Sequence, residues 1–540
     1  MTALKQKGLY VRALQMFRRL TGIVEVQIFM PIVYQIYLLL SVWLGFNLKT
    51  EVLYLLGIFA FFDVAEILAI RLFAARKPMT VCGKLLCAVN LLLSSGITGQ
   101  LVFSHRFYGN ASGVVSPSYS VLSLGIFVLI GCAAGLFCAF MTSLIKKNAL
   151  VGVRVDKNNP MFCYALTVLF VGACAVFYIL LKTRGGNTDS SDQWLAGFQP
   201  GEFLKFAFLF LIAFVGGFPE EHKSWFLFRT VMLFGSLLVM LLYYALLGEF
   251  GSIVVVLLSF VLFLIVSNRN WIYTGILIVA ALIICAPIMG VMIKEGNEYM
   301  EAKYTLTMEE KEDLLAREEA GLLAEGEEPW EEPESTFFTR QYEKIYWRVM
   351  NVVDIHGTDP DRLPGVREYI QTAGNYQPAA ALKAIGISEL IPVQAPVFQY
   401  VAVGDADYIY TSVLQCGGFV SIVVLLFAYL LLADSAFSLI SSNCDMINRY
   451  LVFTMITSVL VQMIINILGV NNLIPLTGIT LPLVSRGGSS VTVTLMMVAV
   501  VLFADADYMD KKQRLADTWN AAEYAEKGVL AREKDGFRIG

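Results

Sequence analysis

The residues of this sequence best placed to do chemistry are ionisable side chains set inside long apolar runs. Glu202 and Lys205 stand three residues apart in one run, Asp63 and Glu66 share the same spacing in another, and Glu249 lies between two runs. A charge in a membrane-depth helix costs about 2.5–3.5 kcal/mol on insertion scales, so it turns toward protein or a wet cavity. Opposite charges at i,i+3 can also satisfy each other, so Glu202–Lys205 reads either as a self-contained pair or as the wall of a cavity. The densest signal comes late. Gln462 and Asn466 precede Gly469–Ser490, a stretch with two prolines, four glycines and several hydroxyls. Such a stretch cannot be a continuous helix, and broken backbone at membrane depth is tolerated only where protein or a water-filled cavity supplies partners. Arg486 lies within it, and Gly487-Gly488-Ser489-Ser490 has the form of an anion-binding helix start, a weak signal alone.

The elements that must position these residues follow from composition. Of 540 residues, 57% are hydrophobic and 16% charged, with a mean hydropathy of +0.66; a soluble domain carries about 25% charged residues. The chain reads as an all-α polytopic membrane protein. A net charge of −4 excludes a polybasic nucleic-acid binder, and three scattered histidines with nine cysteines lacking any CxxC pair indicate neither a metal site nor a disulfide framework. Runs of about 20 apolar residues predict twelve spans near residues 24–47, 52–73, 82–103, 119–145, 161–181, 202–217, 225–247, 251–268, 271–294, 407–433, 448–470 and 489–505. Residues 1–23 carry Lys5, Lys7, Arg12, Arg18 and Arg19 and read as a basic cytoplasmic segment before an uncleaved anchor. Positive charge then recurs on the same side at Arg71, Arg76, Lys77 and Lys84, at Lys146, Lys147, Arg154 and Lys157, and at Lys511, Lys512 and Arg514. The positive-inside rule therefore puts both termini in the cytoplasm, with 506–540 as a tail, and the long loop 295–406 outside.

That loop divides by composition. Residues 295–334 hold 15 acids against three cations, a net of −12, which predicts a solvated or disordered acidic insertion without chemistry; deletion of Glu298–Glu334 is expected to be tolerated. Residues 337–406 are rich in tyrosine, tryptophan and proline and read as packed structure at the membrane surface. Asp359-Pro360 within it is, by itself, an ordinary turn start.

Several of these segments resemble the signature of the SEDS family, the FtsW, RodA and SpoVE group of bacterial cell-wall proteins. Gly469–Ser490 is similar to the family's N-I-G…L-P-x-T-G-I-x-L-P-F-x-S-Y-G-G-S-S. In the same order along the chain, Trp194-Leu195 with Gln199-Pro200-Gly201-Glu202-Phe203-Leu204-Lys205 resembles R-W-[IL] and Q-P-S-E-F-x-K, and Glu249-Phe250-Gly251-Ser252 resembles P-D-L-G-T. Arg348, Asp359-Pro360, Tyr376-Gln377 and Ala384-Ile385-Gly386 resemble the R, D-P, Y-Q and A-I-G of the external loop, and Asp407–Tyr410 resembles T-D-F-I-F. The likeness covers about residues 161–505. Departures are Arg486 for the usual Tyr, Glu249 for Asp, Gln193 for Arg, Gln415-Cys416 for two glutamates, a longer segment after Pro360, and four spans before residue 150 where the family has two.

The resemblance implies a SEDS-like bundle of about twelve spans: a ten-span core, with 151–294 and 407–505 as its later parts, and two extra spans among the four N-terminal ones in 24–150. It implies polymerisation of lipid II into glycan strands at the outer face of the bacterial cytoplasmic membrane, in elongation, division or sporulation. A class B penicillin-binding protein and other divisome or elongasome membrane proteins are the implied partners. Glycosyl transfer needs a carboxylate to take the acceptor's proton and positive charge to stabilise the departing diphosphate. Asp359, matching the family's aspartate, is the implied base, with Asp361, Asp354 and His356 nearby. Lys205, Arg348 and Arg486 are implied contacts of the anionic head, with Arg486 alternatively pairing Asp359 or capping carbonyls. Trp194 reads as sugar platform or interfacial anchor; Gln377, Ser489 and Ser490 complete the substrate set. Asp407 reads as a helix cap, and Glu202 and Glu249 as further acids, with Glu202 expected to reach water at its span's outer end. No metal is assigned, although magnesium or manganese could supply the same positive charge. The alternative is a carrier that only moves a lipid-linked precursor or another solute, for which many spans and broken helices are equally natural.

Overall fold

The computed structural model describes residues 24–74, 82–107, 130–131, 133, 161–184, 195, 198–217, 223–267, 271–320, 330–374, 376–392, 399–442 and 446–506. Among these, the protein is helical, and the one β-feature is an isolated bridge between Leu195 and Phe198. The membrane part comprises α1 (Val24–Phe46), α2 (Lys49–Ala74), α3 (Cys82–Phe107), α4 (Met161–Arg184), α5 (Pro200–Gly217), α6 (Lys223–Leu247), α7 (Phe250–Ser267), α8 (Trp271–Tyr304), α13 (Ile409–Ser442) and α14 (Met446–Val470), closed by α15 (Gly488–Ala506). Between α8 and α13 lie α9 (Met308–Glu319), α10 (Phe337–Val353), α11 (Pro364–Tyr369) and α12 (Tyr376–Ile387). Ten helices among the described residues are long and apolar enough to cross a membrane. The expected run 271–294 forms the first part of α8, while the expected span 119–145 lies almost wholly outside the described residues.

The apolar runs fold as helices because a membrane interior offers the backbone no other partner. α3 is the hub. Its small residues admit close neighbours: a Cβ on Gly96 would sit 2.4 Å from the Val484 carbonyl oxygen, and Gln100 donates to the same carbonyl (2.7 Å). α3 thus props the broken segment before α15. At the periphery, Val168, Leu169, Val176 and Ile179 of α4 are exposed, as lipid-facing side chains are. Buried polar groups on α1–α3 form a local network: Asn90 donates to Asp63 (2.9 Å) and Glu66 (2.6 Å), and Gln35 donates to Asn90 (3.0 Å).

α13 is itself broken. Gly418 adopts φ 63°, ψ −171°, a combination essentially confined to glycine. The freed N–H groups of Phe419 and Val420 donate to the carbonyls of Glu389 and Leu390 beyond α12, while Tyr37 and Ser41 of α1 donate to the carbonyls of Gly417 and Cys416. Gly418→Ala would place its Cβ 2.3 Å from the Leu390 oxygen and costs about 1–3 kcal/mol in backbone strain alone. It is expected to lower the thermal midpoint in detergent clearly, whereas Gly57→Ala, whose Cβ meets nothing within 4 Å, should leave it unchanged or raised.

The acidic run differs from its expected solvated or disordered state. Residues 295–304 continue α8, and Tyr299, Met300 and Tyr304 are buried with Met350, Val366 and Ile370 in a separate core of the 295–392 region. α9 has a capping box between Thr307 and Glu310, and Glu309, Glu310, Glu312 and Glu318 are exposed while Lys311 is buried over the Tyr304 and Trp330 rings. The net charge concealed the apolar anchors spaced between the acids. Deleting Glu298–Glu334 removes three of those buried side chains and is therefore expected to open this core. Protease added to the protein in detergent should cut the deletion variant in 337–392 far faster than the parent.

Candidate functional site

Four segments far apart in sequence converge on one cavity of about 110 Å³. Its walls are Gln199, Glu202 and Lys205 from the start of α5, Gly248–Ser252 and Val255 from the α6–α7 turn, Arg348 from α10, and Thr477–Thr480 from the broken segment. Each wall is held by a local device. The Tyr244 hydroxyl donates to the Gly201 carbonyl (2.7 Å), tying α6 to α5. Gly248, at φ +73°, ends α6 and lets Glu249 open α7. The Thr477–Thr480 strip is carried by amides of α14: Gln462 donates to the Thr480 carbonyl (2.9 Å), and Asn466 donates to the carbonyls of Ile479 (2.7 Å) and Asp407 (2.9 Å).

Within the cavity, Lys205 pairs with Glu202 (2.7 Å) and donates to Gln462 Oε1 (2.9 Å). Glu202 does not reach water as expected: it is 8% exposed and Lys205 2%, because the α5 start is roofed by the α6–α7 turn and the broken segment. Both sequence readings of the pair therefore hold together, since it satisfies itself and lines the cavity. Glu249 has no cation within bonding distance among the described residues; its carboxylate accepts from Gln199 Nε2 and Ser252 Oγ (both 3.0 Å). Burial pushes the Glu249 carboxyl above the ordinary carboxylate range, opposed by those two donors. Burial lowers the Arg348 guanidinium, with the nearby Asp407 charge opposing it. Asp407 is raised by burial, partly offset by Arg348.

Asp407 therefore differs from the expected helix cap. It faces Arg348 across Gly478, whose Cβ position lies 3.7 Å from Asp407 Oδ2 and 3.8 Å from Arg348 Nη2. Arg486 pairs with neither Asp359 nor a row of carbonyls: its Nη1 binds Asp405 Oδ2 (2.8 Å) and its backbone N–H donates to the Asp405 carbonyl (2.8 Å). A guanidinium in place of the usual tyrosine thus locks the turn before α13 onto the turn before α15. Ser489 and Ser490, at the first turn of α15, are engaged internally. Ser489 accepts from the Gln199 N–H (2.8 Å) and Ser490 shares a hydrogen bond with Thr480 (2.9 Å).

The acids of the 354–361 segment are not among the cavity walls. Asp359 pairs with Arg362 (3.1 Å) and accepts from the Asp361 N–H (3.1 Å); Asp354 accepts from the N–H groups of Thr358 and Asp359, so the segment is a tight acidic turn. Asp361 and His356 are exposed, as is Gln377 at the start of α12. Trp194 lies outside the described residues. Sequence reasoning missed Asp405 and the strip-bearing role of Gln462 and Asn466. Asp405 had a faint signal in its i,i+2 spacing from Asp407. No three His, Cys, Asp or Glu side chains gather as a metal cluster among the described residues.

Residues 373–509 match the family model for the cell cycle proteins FtsW, RodA and SpoVE. The stage V sporulation protein E of Bacillus subtilis is 36% identical over 107 residues, 19% of this chain and 29% of the relative. A probable peptidoglycan glycosyltransferase FtsW of Xanthomonas oryzae is 31% identical over 154 residues, 27% of this chain and 31% of the relative. The chain thus spans under a third of the length of these curated relatives. Among solved structures, it is similar to a chain of a peptidoglycan synthase complex that coordinates polymerization and crosslinking (TM-score 0.48, 18% identity, covering 78% of this chain and 97% of that one). It is also similar to the rod shape determining protein RodA of Thermus thermophilus (TM-score 0.39, 18% identity, covering 78% and 96%). Residues 373–509, which include the whole broken segment from Gly469 to Ser490, thus resemble the FtsW, RodA and SpoVE family within a multi-pass membrane protein.

Proposed function

We propose that the chain is a peptidoglycan glycosyltransferase that joins lipid II units into glycan strands at the outer face of the cytoplasmic membrane. One observation carries this reading. The segments resembling Q-P-S-E-F-x-K, P-D-L-G-T, the external-loop arginine and the P-x-T-G-I strip, spread over almost 300 residues, wall a single polar cavity. In the proposed reaction the acceptor hydroxyl attacks the anomeric carbon of the donor, the bond from that carbon to the diphosphate oxygen breaks, and polyprenyl diphosphate leaves. Lys205 and Arg348 stabilise the leaving diphosphate, and the Asp359 carboxylate takes the hydroxyl proton. Inversion at the sugar carbon needs only one such base. Glu249, held by Gln199 and Ser252, lies on the wall of the same cavity.

Both termini are proposed to lie in the cytoplasm, a reading the recurring positive charge supports, and a class B penicillin-binding protein that crosslinks the product is the proposed partner. The test is reconstitution with labelled lipid II and that partner, followed by gel separation of products. A ladder of glycan chains supports the polymerase. Movement of lipid II across the bilayer with no ladder supports the carrier reading and overturns this one.

A further inference from the structure

The polar face of α10 has no explanation in the outer core. Gln341, Lys344, Arg348 and Asn351 fall at i, i+3, i+7 and i+10, which places them along one stripe of the helix. The opposite face, with Tyr346, Trp347 and Met350, packs into the outer core, and Glu343 on that side is taken by Lys303 (3.2 Å) and Tyr304 (2.7 Å). The stripe is therefore positive, with its acid turned away. Its position is fixed at three points. Gln341 meets Gly248 of the α6–α7 turn, whose Cβ position lies 2.9 Å from Gln341 Oε1; Arg348 lines the cavity; and the Asn351 carbonyl accepts from Asn472 (2.9 Å). Lys344, between the first two, is exposed and has no ion pair among the described residues.

The amides on this stripe supply the second observation. Gln341 Oε1 and Asn351 Oδ1 are buried yet have no hydrogen-bond partner among the described residues, and Gln341 is only 8% exposed. A buried acceptor without a donor costs about 1–3 kcal/mol, and native structures rarely keep one without a reason. Two unpaired carbonyl acceptors flanking two cations ask for a ligand that offers both negative charge and O–H or N–H donors. The stripe lies where α6 ends and α5 and α7 begin, at the rim of the membrane bundle. The ligand is thus presented from the bilayer surface.

We propose that this stripe is a headgroup rail for a lipid-linked diphospho-saccharide: Lys344 and Arg348 hold the diphosphate on its way into the cavity, and Gln341 and Asn351 accept hydrogen bonds from the sugar. This rests on the function proposed above and adds Lys344, Gln341 and Asn351 as specificity residues. A phospholipid would satisfy the cations but not the amides, and the two sources separate experimentally.

The full chain in phosphatidylcholine nanodiscs is titrated with farnesyl diphosphate and with a farnesyl-diphospho-disaccharide, and polymerisation of lipid II is measured alongside. The parent is expected to bind the disaccharide probe more tightly than farnesyl diphosphate. Lys344→Gln should weaken both probes about tenfold, raise KM with little change in kcat, and flatten the salt dependence of binding. Gln341→Leu should weaken only the disaccharide probe; melting curves confirm its fold, which an apolar replacement of an unpaired buried amide should not harm. Equal binding of both probes, or unchanged binding and KM in Lys344→Gln, overturns the rail. Probe binding that depends on these residues in a protein that makes no glycan upholds the rail and removes the polymerase reading. Glycan synthesis indifferent to both substitutions does the reverse.

Discussion

Asp359→Asn is expected to reduce glycan synthesis by about a hundred- to ten-thousand-fold, the range a lost general base gives, while the protein still folds. The asparagine oxygen can keep the hydrogen bond from the Asp361 N–H. The lost ion pair to Arg362 is more than a third exposed on the aspartate side, so solvent screening limits its worth to at most about 1 kcal/mol. The competing acid is Glu249, inside the cavity. Glu249→Gln keeps the size of the group, and its amide oxygen can still accept from Gln199 or Ser252, so under the present reading it lowers the rate modestly. An active Asp359→Asn protein together with an inactive Glu249→Gln protein would move the base into the cavity.

Lys205→Met should be destabilising by about 3–5 kcal/mol, because it strands the buried carboxylate of Glu202. From sequence alone, the same change looked mild: Glu202 at the end of a span was expected to find water. In the folded bundle Lys205 also serves Gln462 Oε1, so the substitution loosens the amide that carries the Thr480 strip. The companion variant is Glu202→Gln with Lys205→Met, which removes the charge imbalance. Its thermal midpoint should return most of the way to the parent value, yet polymerisation should stay lost for want of the cavity cation. A Lys205→Met protein as stable as the parent would show that Glu202 is hydrated after all.

Most of the membrane architecture was legible because hydropathy reports directly on which backbone must satisfy itself. The broken segment was legible for the same reason, since two prolines and four glycines forbid a helix. What stayed hidden depended on pairing across long separations. Nothing local in Arg486 marks Asp405 as its partner, and nothing in Asp359-Pro360 reveals that its carboxylate turns to Arg362 and not toward Lys205. The acidic run misled because charge was counted without period: Tyr299, Met300 and Tyr304 share one helix face, and their spacing outweighs the acids between them. The α10 stripe was hidden because Arg348 was considered without its helical neighbours.

The clamp that α1 places on the break in α13 also sets a schedule for assembly. Tyr37 and its acceptor Gly417 are 380 residues apart, and Gln100 and Val484 are 384 apart. At about 5–20 residues per second of synthesis, the first helices wait roughly 20–80 s in the bilayer before these acceptors are made. Gln35, Asn90, Asp63 and Glu66 need no such delay, since all four belong to α1–α3. The early helices can therefore shelter Asp63 and Glu66 among themselves, while Lys84, whose partner Asp434 (2.8 Å) is made 350 residues later, remains open with Tyr37, Ser41 and Gln100. A nascent chain stalled before residue 409 should accordingly hold a stable three-helix hairpin stack whose unpaired hydroxyl and amide groups are targets for membrane quality control.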